Sequence, residues 1–596
     1  MDTKSAANLP DLFFNQAKSR GERPFLWWKD GAQYRPIKWR EARTIVAQLA
    51  RGLRSLGLSH GDRVAVVAEN RPEWVLADLA IMSAGGITVP AYTTNTVDDH
   101  RHIFENSGAR LVIVSTAALA QRVLTAADLV PSVTAIIALE PVGELRAKAP
   151  VHLWQDVLKR GEGPIEEVER WAGEVRRDDI ACLIYTSGTG GVPKGVMTTH
   201  ANILANCRGA IRLLETIGLG DEVFLSFLPL SHSYEHTGGL MFPISLGAEI
   251  YFAEKVETLA TNILEVRPTI MTAVPRLYET MHQRILRGIE REGGFKAKLF
   301  FSALRLGRKR IENPRGMSPD ERLFDRLLDR LVRRKVQQRF GGRLKAMVSG
   351  GAPLNQEIGM FFLSLGVPLL QGYGQTEASP VVSANPPNRI KINTVGPPLE
   401  GVEVKIADDG EILVRGELVM KGYWQDPEST ARTVVDGWLH TGDIGERDSD
   451  GYLVITDRKK DFIKNSGGDM ISPIRVESAL MLQPEIGQAM VFGDRRPYLV
   501  AVIVPRPEFM ETLTSGRNGA EAPVLPGGEA LQKAIGAAVT RANAGLPLAE
   551  RVRRFIIARE AFTIQNGQMT PTLKIKRHAI RQTYGEALSS LYEGKA

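Results

Sequence analysis

The sequence predicts an α/β protein: a large N-terminal domain of layered α/β subdomains and a small α+β C-terminal domain. Three observations carry this. A chain of 596 residues exceeds what one hydrophobic core serves, so two or more domains are expected. From about residue 40 to residue 270, helix-period patterns alternate with short apolar runs, as in strands covered by helices in largely parallel sheets. Near residue 457 the texture changes to the charged segment Asp457-Arg-Lys-Lys-Asp461, which places a boundary between 1–457 and 458–596.

The elements follow in order. Arg63-Val-Ala-Val-Val-Ala68 and Arg110-Leu-Val-Ile-Val114 are apolar runs of strand length. Trp74 to Ala84 carries a helical pattern between them, ended by Gly85-Gly86. Ile180-Ala-Cys-Leu-Ile184 reads as a further buried strand. Residues 290–345 differ. Basic residues crowd there (Lys296, Lys298, Arg305, Arg308, Lys309, Arg310, Arg326, Arg330, Arg333, Arg334 and Lys335). Leu323, Phe324, Leu327, Leu328, Leu331 and Val332 fall on one stripe at helical spacing. The plainer expectation is a helix whose apolar stripe packs on its own domain with its arginines solvated. The alternative is docking on anionic lipid, at about 1 kcal/mol per basic residue near the surface. In the smaller domain, Thr514 to Gly528 reads as a Gly-, Pro- and Ala-rich loop.

Composition excludes several classes. A hydrophobic fraction of 43% and a charged fraction of 24% are those of a globular protein, and a net charge of +7 is small for the length. Cys182 and Cys207 are the only cysteines, so no disulfide framework or Cys-rich metal site is expected. Met-Asp-Thr-Lys-Ser at the start lacks the apolar core of a signal peptide. No apolar run reaches the roughly 20 residues of a membrane span. A cytoplasmic protein is expected, with peripheral contact to the inner membrane face through 290–345 as the one membrane role.

The most informative stretch is Tyr185-Thr-Ser-Gly-Thr-Gly-Gly-Val-Pro-Lys-Gly195. Such a loop cannot pack a core. It can wrap backbone N–H groups and hydroxyls around phosphate oxygens, with Lys194 adding positive charge. It is not a Walker A loop, because Gly195 follows the lysine where Ser or Thr is required. A dinucleotide fingerprint would need glycine where Pro193 stands. The loop resembles the phosphate loop of the adenylate-forming superfamily of acyl-CoA synthetases, luciferases and peptide-synthetase adenylation domains. There the common form is Ser-Gly-Thr-Thr-Gly-x-Pro-Lys-Gly, and Gly190 replaces its second Thr, removing one hydroxyl. The resemblance implies ATP binding by Thr186, Ser187, Gly188, Thr189, Gly190, Gly191 and Lys194.

Further segments match the family's motifs in the family's order, over nearly the whole chain. Ser349-Gly-Gly-Ala-Pro353 follows an apolar strand, Lys345-Ala-Met-Val348, and its glycines let a flat ring approach the backbone. The resemblance assigns the adenine pocket to Gly350, Gly351 and Ala352. In Gln371-Gly-Tyr-Gly-Gln-Thr-Glu377, Tyr373 offers a ring to stack on adenine, Thr376 a hydroxyl, and Glu377 a hard oxygen ligand for Mg²⁺. Gln371, Gly372, Tyr373, Gly374 and Thr376 thus join the expected ATP site, with Glu377 and Thr186 as metal ligands. Asp443, ending Trp438-Leu-His-Thr-Gly-Asp443, can accept both ribose hydroxyls, assisted by Arg458. Lys421-Gly-Tyr-Trp424 matches a motif read as structural.

The family's hinge maps to Lys460, and the approach to the pantetheine arm of CoA maps to Gly467 and Gly468. In Thr570-Pro-Thr-Leu-Lys-Ile-Lys-Arg577 the family's catalytic lysine maps to Lys574, with Lys576 and Arg577 as rivals. In Leu228-Pro-Leu-Ser-His-Ser-Tyr-Glu-His236 the residue beside the acyl carboxylate maps to His232, and Tyr234 and His236 are candidate walls of an acyl tunnel. Phe361 and Phe362 read as tunnel or core residues, with core the plainer expectation.

The resemblance implies a Mg²⁺-dependent ligase that forms acyl-AMP from ATP and a carboxylic acid, then transfers the acyl group to CoA. Leu573 before the lysine, the basic insertion and Arg541-Ala-Asn-Ala-Gly545 resemble the long-chain fatty acyl-CoA synthetases. The rival readings are a fatty acyl-AMP ligase serving a carrier protein and a CoA ligase for medium-chain or aryl acids. A luciferase-like oxygenase has no supporting signal. A non-enzymatic reading, as a basic nucleic-acid- or membrane-binding protein, rests on the sequence pI of about 9.2 and the arginine-rich helix, and no nucleic-acid partner is expected. An oligomer is compatible with everything above.

Overall fold

In a computed structural model the described residues are 6–186, 192–459, 461–515, 528–570 and 574–593. Ser187 to Gly191, Lys460 and Pro571 to Leu573, all named above, lie outside them. The chain divides into two compact units. The first comprises Met1–Ala407, Ile412–Thr441 and Arg447–Val454, and the second Asp408–Glu411, Gly442–Glu446 and Ile455–Ala596.

The first unit holds two eight-stranded sheets. One runs, in spatial order, Val381–Ala384, Leu369–Gly374, Ala346–Ser349, Ile270–Ala273, Val223–Ser226, Glu249–Phe252, Pro24–Asp30 and Gln33–Lys38. Its interior pairs are parallel and its two outermost pairs antiparallel. The other runs Gly422–Tyr423, Lys194–Thr199, Ile180–Thr186, Ile87–Pro90, Arg63–Val67, Leu111–Val114, Ala135–Ala138 and Val151–Leu153. The expected parallel strands and the helix between them are present, with that helix at Pro72–Ser83. Trp74 to Ser83 are all buried, as a helix apolar around nearly its whole circumference requires. Its one buried carboxylate, Asp78, is paired. The Phe25 ring stacks on Trp39 at 3.7 Å between centroids, anchoring the first strand to the helix Trp39–Ser55.

The basic segment is helical, in Pro275–Glu292, Gly294–Glu312, Pro319–Leu328 and Arg334–Arg339, with a π turn at Asp329–Arg333. The single apolar stripe read from the sequence is divided. Asp325, Leu328, Val332 and Val336 face inward, while Leu323, Leu327 and Leu331 are 69%, 49% and 39% exposed. A stripe nearly half the helix circumference wide has two edges, and only one meets the core. Arg333, expected in solvent, is buried at 2% exposure. Its guanidinium binds the carboxylates of Asp325 and Asp329 and donates to the carbonyls of Ser364 at 2.7 Å and Ala303 at 2.8 Å. These partners offset the cost of burying the charge. Among the described residues no helix is long and apolar enough to cross a membrane.

The second unit is built on a three-stranded sheet of Ile486–Phe492, Leu499–Pro505 and Val552–Ile557. Alternation divides its faces. Ala489, Val491, Leu499, Ala501 and Ile503 pack with residues of Pro473–Met481 and Glu529–Ala544. Met490, Val500, Val502 and Val504 pack with Ile580, Tyr584 and Leu588 of Arg577–Ser590. Thr514 and Ser515, read as loop, end the helix Pro507–Ser515. Gly528 directly precedes the helix Glu529–Ala544, and 516–527 lie outside the described residues.

Candidate active site

In the first sheet of the large unit, four parallel strands end at Ser226, Ala273, Ser349 and Gly374. Open parallel sheets take ligands beyond such C-terminal ends. A short turn, Ser233 to His236, is fastened across them. Ser233 Oγ lies 2.9 Å from Thr376 Oγ1. The Tyr234 hydroxyl donates to the Val348 carbonyl at 2.8 Å. Glu235 accepts from Ser226 Oγ at 2.7 Å and Thr272 Oγ1 at 2.6 Å. His236 Nε2 meets Asp78 Oδ2 at 2.9 Å, with both side chains fully buried. His232 opens the turn, its Nδ1 accepting from the Tyr234 N–H at 3.1 Å.

Several expectations change here. His236 lies in the interior against Asp78, its ring edge-on to Trp74 at 5.8 Å, and has no surface with which to line a tunnel. Gly350 does leave room for a flat ring, but the ring is Tyr234. A Cβ on Gly350 would meet Tyr234 Cζ at 2.9 Å. Gly351, at φ +81°, is the turn residue after the strand, with Ala352 partly exposed beside it. Gly374 is required by its strand partner, since a Cβ there would lie 1.8 Å from the Pro380 carbonyl oxygen. Gly372 and Tyr373 pair with Ala384 and Ser383, and Gln371 with Ser349. Phe361 and Phe362 are core, as read.

The phosphate loop's flanks are described. Thr186 and Lys194 are register partners on adjacent strands. Lys194 Nζ lies 3.0 Å from Asp426 Oδ2, contacts Ser429 Oγ, and sits 5.3 Å from the centroid of the Tyr423 ring. Asp426 is held down at about 2, chiefly by the Ser429 hydrogen bonds and then by Lys194. Glu377 Oε1 accepts from the Tyr423 hydroxyl at 2.9 Å. Thr376, Glu377, His232, Gln371 and Gly350–Ala352 are thus brought together at the strand ends. The sequence reading missed Ser233, Glu235, Tyr423 and Asp426. Ser-His-Ser-Tyr-Glu directly after an apolar strand was the available signal, since a polar run there must find buried partners.

The other expected residues lie in the second unit. Arg458 Nε is 3.2 Å from Asp443 Oδ1, and Asp443 is nearly buried. Gly468, at φ +91°, closes the turn between Ile463–Lys464 and Met470–Ile471, which Asn465 and Asp469 bind across at 2.8 and 2.9 Å. Gly467 precedes it. The Lys574 N–H donates to Thr570 Oγ1 at 3.0 Å. Arg577 is removed as a rival to Lys574, because Glu477 grips its guanidinium at 2.7 and 2.6 Å.

The architecture is that of an α/β enzyme whose glycines, hydroxyls and charges gather where parallel strands end. The chain belongs to the AMP-binding enzyme family. The family model matches residues 13–424, and the model of the AMP-binding enzyme C-terminal domain matches residues 460–596. The chain is 35% identical to the long-chain-fatty-acid–CoA ligase FadD15 of Mycobacterium bovis, over 93% of this chain and 91% of that one. It is 30% identical to the peroxisomal long chain acyl-CoA synthetase 6 of Arabidopsis thaliana, over 94% and 82%. Among solved structures it resembles the adenylation domain of a carboxylate reductase from Mycobacterium chelonae. That match has a TM-score of 0.75 and 23% identity, covering 99% of this chain and 92% of that one. The anthranilate CoA ligase AuaEII matches with a TM-score of 0.71 and 23% identity, over 99% and 100%.

Burial pushes the Glu235 carboxyl up to about 7 from an ordinary 4.5, against the two hydroxyls that stabilise its charge. The folded state therefore holds a proton that the unfolded chain releases at lower pH. No penalty exists below about 4.5. Stability is lost as pH rises from there through about 7, and the full cost persists above. Glu235→Gln removes this dependence. The melting temperature of the native protein should fall relative to Glu235→Gln between about pH 5 and pH 8. A difference that stays constant with pH contradicts the assignment.

Proposed function

We propose that the protein is a long-chain fatty acid–CoA ligase. It converts a fatty acid and ATP to acyl-AMP and pyrophosphate, then acyl-AMP and CoA to acyl-CoA and AMP. Identity of 30–35% to named long-chain-fatty-acid–CoA ligases over more than nine-tenths of the chain carries this reading.

A carboxylate is already ionised at neutral pH, so the first step needs alignment and charge neutralisation, with no general base. The carboxylate oxygen attacks the α-phosphorus, and the bond to the bridging oxygen breaks as pyrophosphate leaves. Lys574 spans the attacking carboxylate and the α-phosphate, while Thr376, held by Ser233, donates to the oxygens between them. His232 flanks the acyl carboxylate. Thr186 to Lys194 receive the β- and γ-phosphates, Gly351, Ala352 and Tyr373 the adenine, and Asp443 with Arg458 the ribose.

Among the described residues no group of three or more His, Cys, Asp or Glu could cage a metal. A lone carboxylate, Glu377, with one oxygen taken by Tyr423, fits Mg²⁺, which binds one or two carboxylates and completes its shell with water and phosphate. Glu377 and Thr186 would hold it, and the ion would neutralise phosphate charge. In the second step the CoA sulfur attacks the acyl carbon, AMP leaves, and the thiol proton passes to solvent. Gly467 and Gly468 admit the pantetheine arm. Lys574 and this glycine turn serve successive steps from one domain, 458–596, which would pivot at Lys460 between them.

The basic segment supports a peripheral membrane partner. Arg322, Arg326, Arg330 and Arg334 run beside the exposed Leu323, Leu327 and Leu331, and none of the four makes an ion pair among the described residues. By contrast, Arg308, Lys309 and Arg310 are each paired with acidic residues. Apolar and uncompensated basic ridges side by side fit an anionic bilayer surface.

Pyrophosphate release from ATP should peak with long-chain acids, with AMP and thioester appearing only when CoA is added. Release without thioester would favour the acyl-AMP ligase, and no release with any acid would overturn adenylation. Lys574→Ala should lose adenylation by at least about 100-fold while keeping thioester formation from supplied acyl-AMP; equal loss of both steps contradicts the division of labour. The protein should sediment with phosphatidylglycerol vesicles more than with phosphatidylcholine vesicles, and Leu327→Glu with Leu331→Glu should weaken this. Equal sedimentation with both vesicle types contradicts the membrane contact.

A further inference from the structure

Lys421-Gly-Tyr-Trp424, read from the sequence as structural, touches both charges that the adenylation reading assigns to the phosphates. Gly422 and Tyr423 pair with Met197 and Val196 on the strand that begins at Lys194. The Trp424 N–H donates to the Gly195 carbonyl at 2.7 Å, and the Lys421 N–H to the Met197 carbonyl at 3.0 Å. The Tyr423 N–H donates to Thr430 Oγ1 at 2.9 Å. A Cβ on Gly422, at φ +136°, would strike Thr430 Cγ2 at 2.6 Å. The backbone of this edge strand is therefore fixed on both sides, and Tyr423 projects from a defined place.

From there its ring lies 5.3 Å from Lys194 Nζ and its hydroxyl donates to Glu377 Oε1 at 2.9 Å. The Met420 N–H holds the Glu377 carbonyl at 2.9 Å, so this short segment grips both the main chain and the side chain of Glu377. If Tyr423 served packing alone, its ring would suffice and the hydroxyl would be dispensable. Instead the hydroxyl occupies Oε1 and leaves Oε2 without a partner among the described residues.

We infer that Tyr423 is a positioning residue that couples the two phosphate-handling charges. Its hydroxyl turns Glu377 so that one carboxylate oxygen is presented to a divalent cation, and its ring carries Lys194 alongside. The inference rests on the adenylation reading, in which Glu377 meets the cation and Lys194 the phosphates. Tyr423→Phe keeps the ring and removes the hydroxyl. Tyr423→Leu removes both.

The test uses the full chain and Mn²⁺ titrated in the presence of a non-hydrolysable ATP analogue, followed by electron paramagnetic resonance, beside pyrophosphate release. Tyr423→Phe should weaken Mn²⁺ binding by about 10-fold or more, as loss of a group that orients a metal ligand does. The fatty acid KM and the melting temperature should not change. Tyr423→Leu should in addition raise the KM for ATP. In a Glu377→Gln background, Tyr423→Phe should have no further effect on Mn²⁺ binding, because the hydroxyl acts only through that carboxylate. Native-like Mn²⁺ binding by Tyr423→Phe overturns the inference, as does an effect that persists in full without Glu377. Failure of the adenylation reading looks different: the unmodified protein would bind Mn²⁺ with the analogue yet release no pyrophosphate with any acid.

Discussion

Four consecutive side chains, Ser233 to His236, hold the strand ends of the large unit in one arrangement. Each reaches a different element: the Thr376 turn, the strand ending at Ser349, the strand ends at Ser226 and Thr272, and the helix carrying Asp78. All four are buried, so their bonds are made away from competing water. Donors and acceptors fixed before a ligand arrives cost no reorganisation when charge develops, which is what a nucleotidyl transfer without a general base demands. The cost is visible in the same place. Glu235 is buried with only neutral partners, and Asp78 Oδ1 and His236 Nδ1 have no hydrogen-bond partner among the described residues.

A second point of order lies at the edge of the other sheet. Lys194 is charged, half-exposed and next to the phosphate loop, yet it is already held by Asp426, Ser429 and the Tyr423 ring. An incoming phosphate would take over a lysine whose position is set. The second unit separates structure from chemistry in a comparable way. Arg577 is fixed by Glu477 and belongs to the packing, while Lys574, three residues earlier, directly precedes Ile575, which bridges to Met569.

Much of this was legible in the sequence. Alternating apolar runs gave the parallel strands, because burial on both faces leaves a continuous Val, Ile and Leu signature. The glycine, hydroxyl and lysine content of 185–195 reads as a phosphate loop, of which only the flanks, Tyr185, Thr186 and Val192 to Gly195, are among the described residues. What escaped reading depends on contacts between residues far apart in the chain. Glu235 meets Thr272, and Tyr423 meets Glu377, only once the sheets are assembled. Gly350 was read as making room for a flat ligand ring, whereas the Tyr234 ring fills that room, and Gly374, expected in the ATP site, is required by the Pro380 carbonyl. The wide apolar stripe at 323–332 fixed a helix but not which of its edges would turn inward. Arg333 looked like one more surface cation until Asp325 and two carbonyls closed around it.

The central claim is that the turn Ser233 to His236 presents a preformed acyl-adenylate site at the strand ends. The most direct measurement is a crystal structure of the protein with a non-hydrolysable long-chain acyl-adenylate analogue. The account predicts adenine beside Gly351, Ala352 and Tyr373, the phosphate surrogate within hydrogen-bonding distance of Thr376, and the bonds of Ser233, Tyr234 and Glu235 unchanged. An analogue bound away from the strand ends, or a turn that must break those bonds to admit it, would contradict the account.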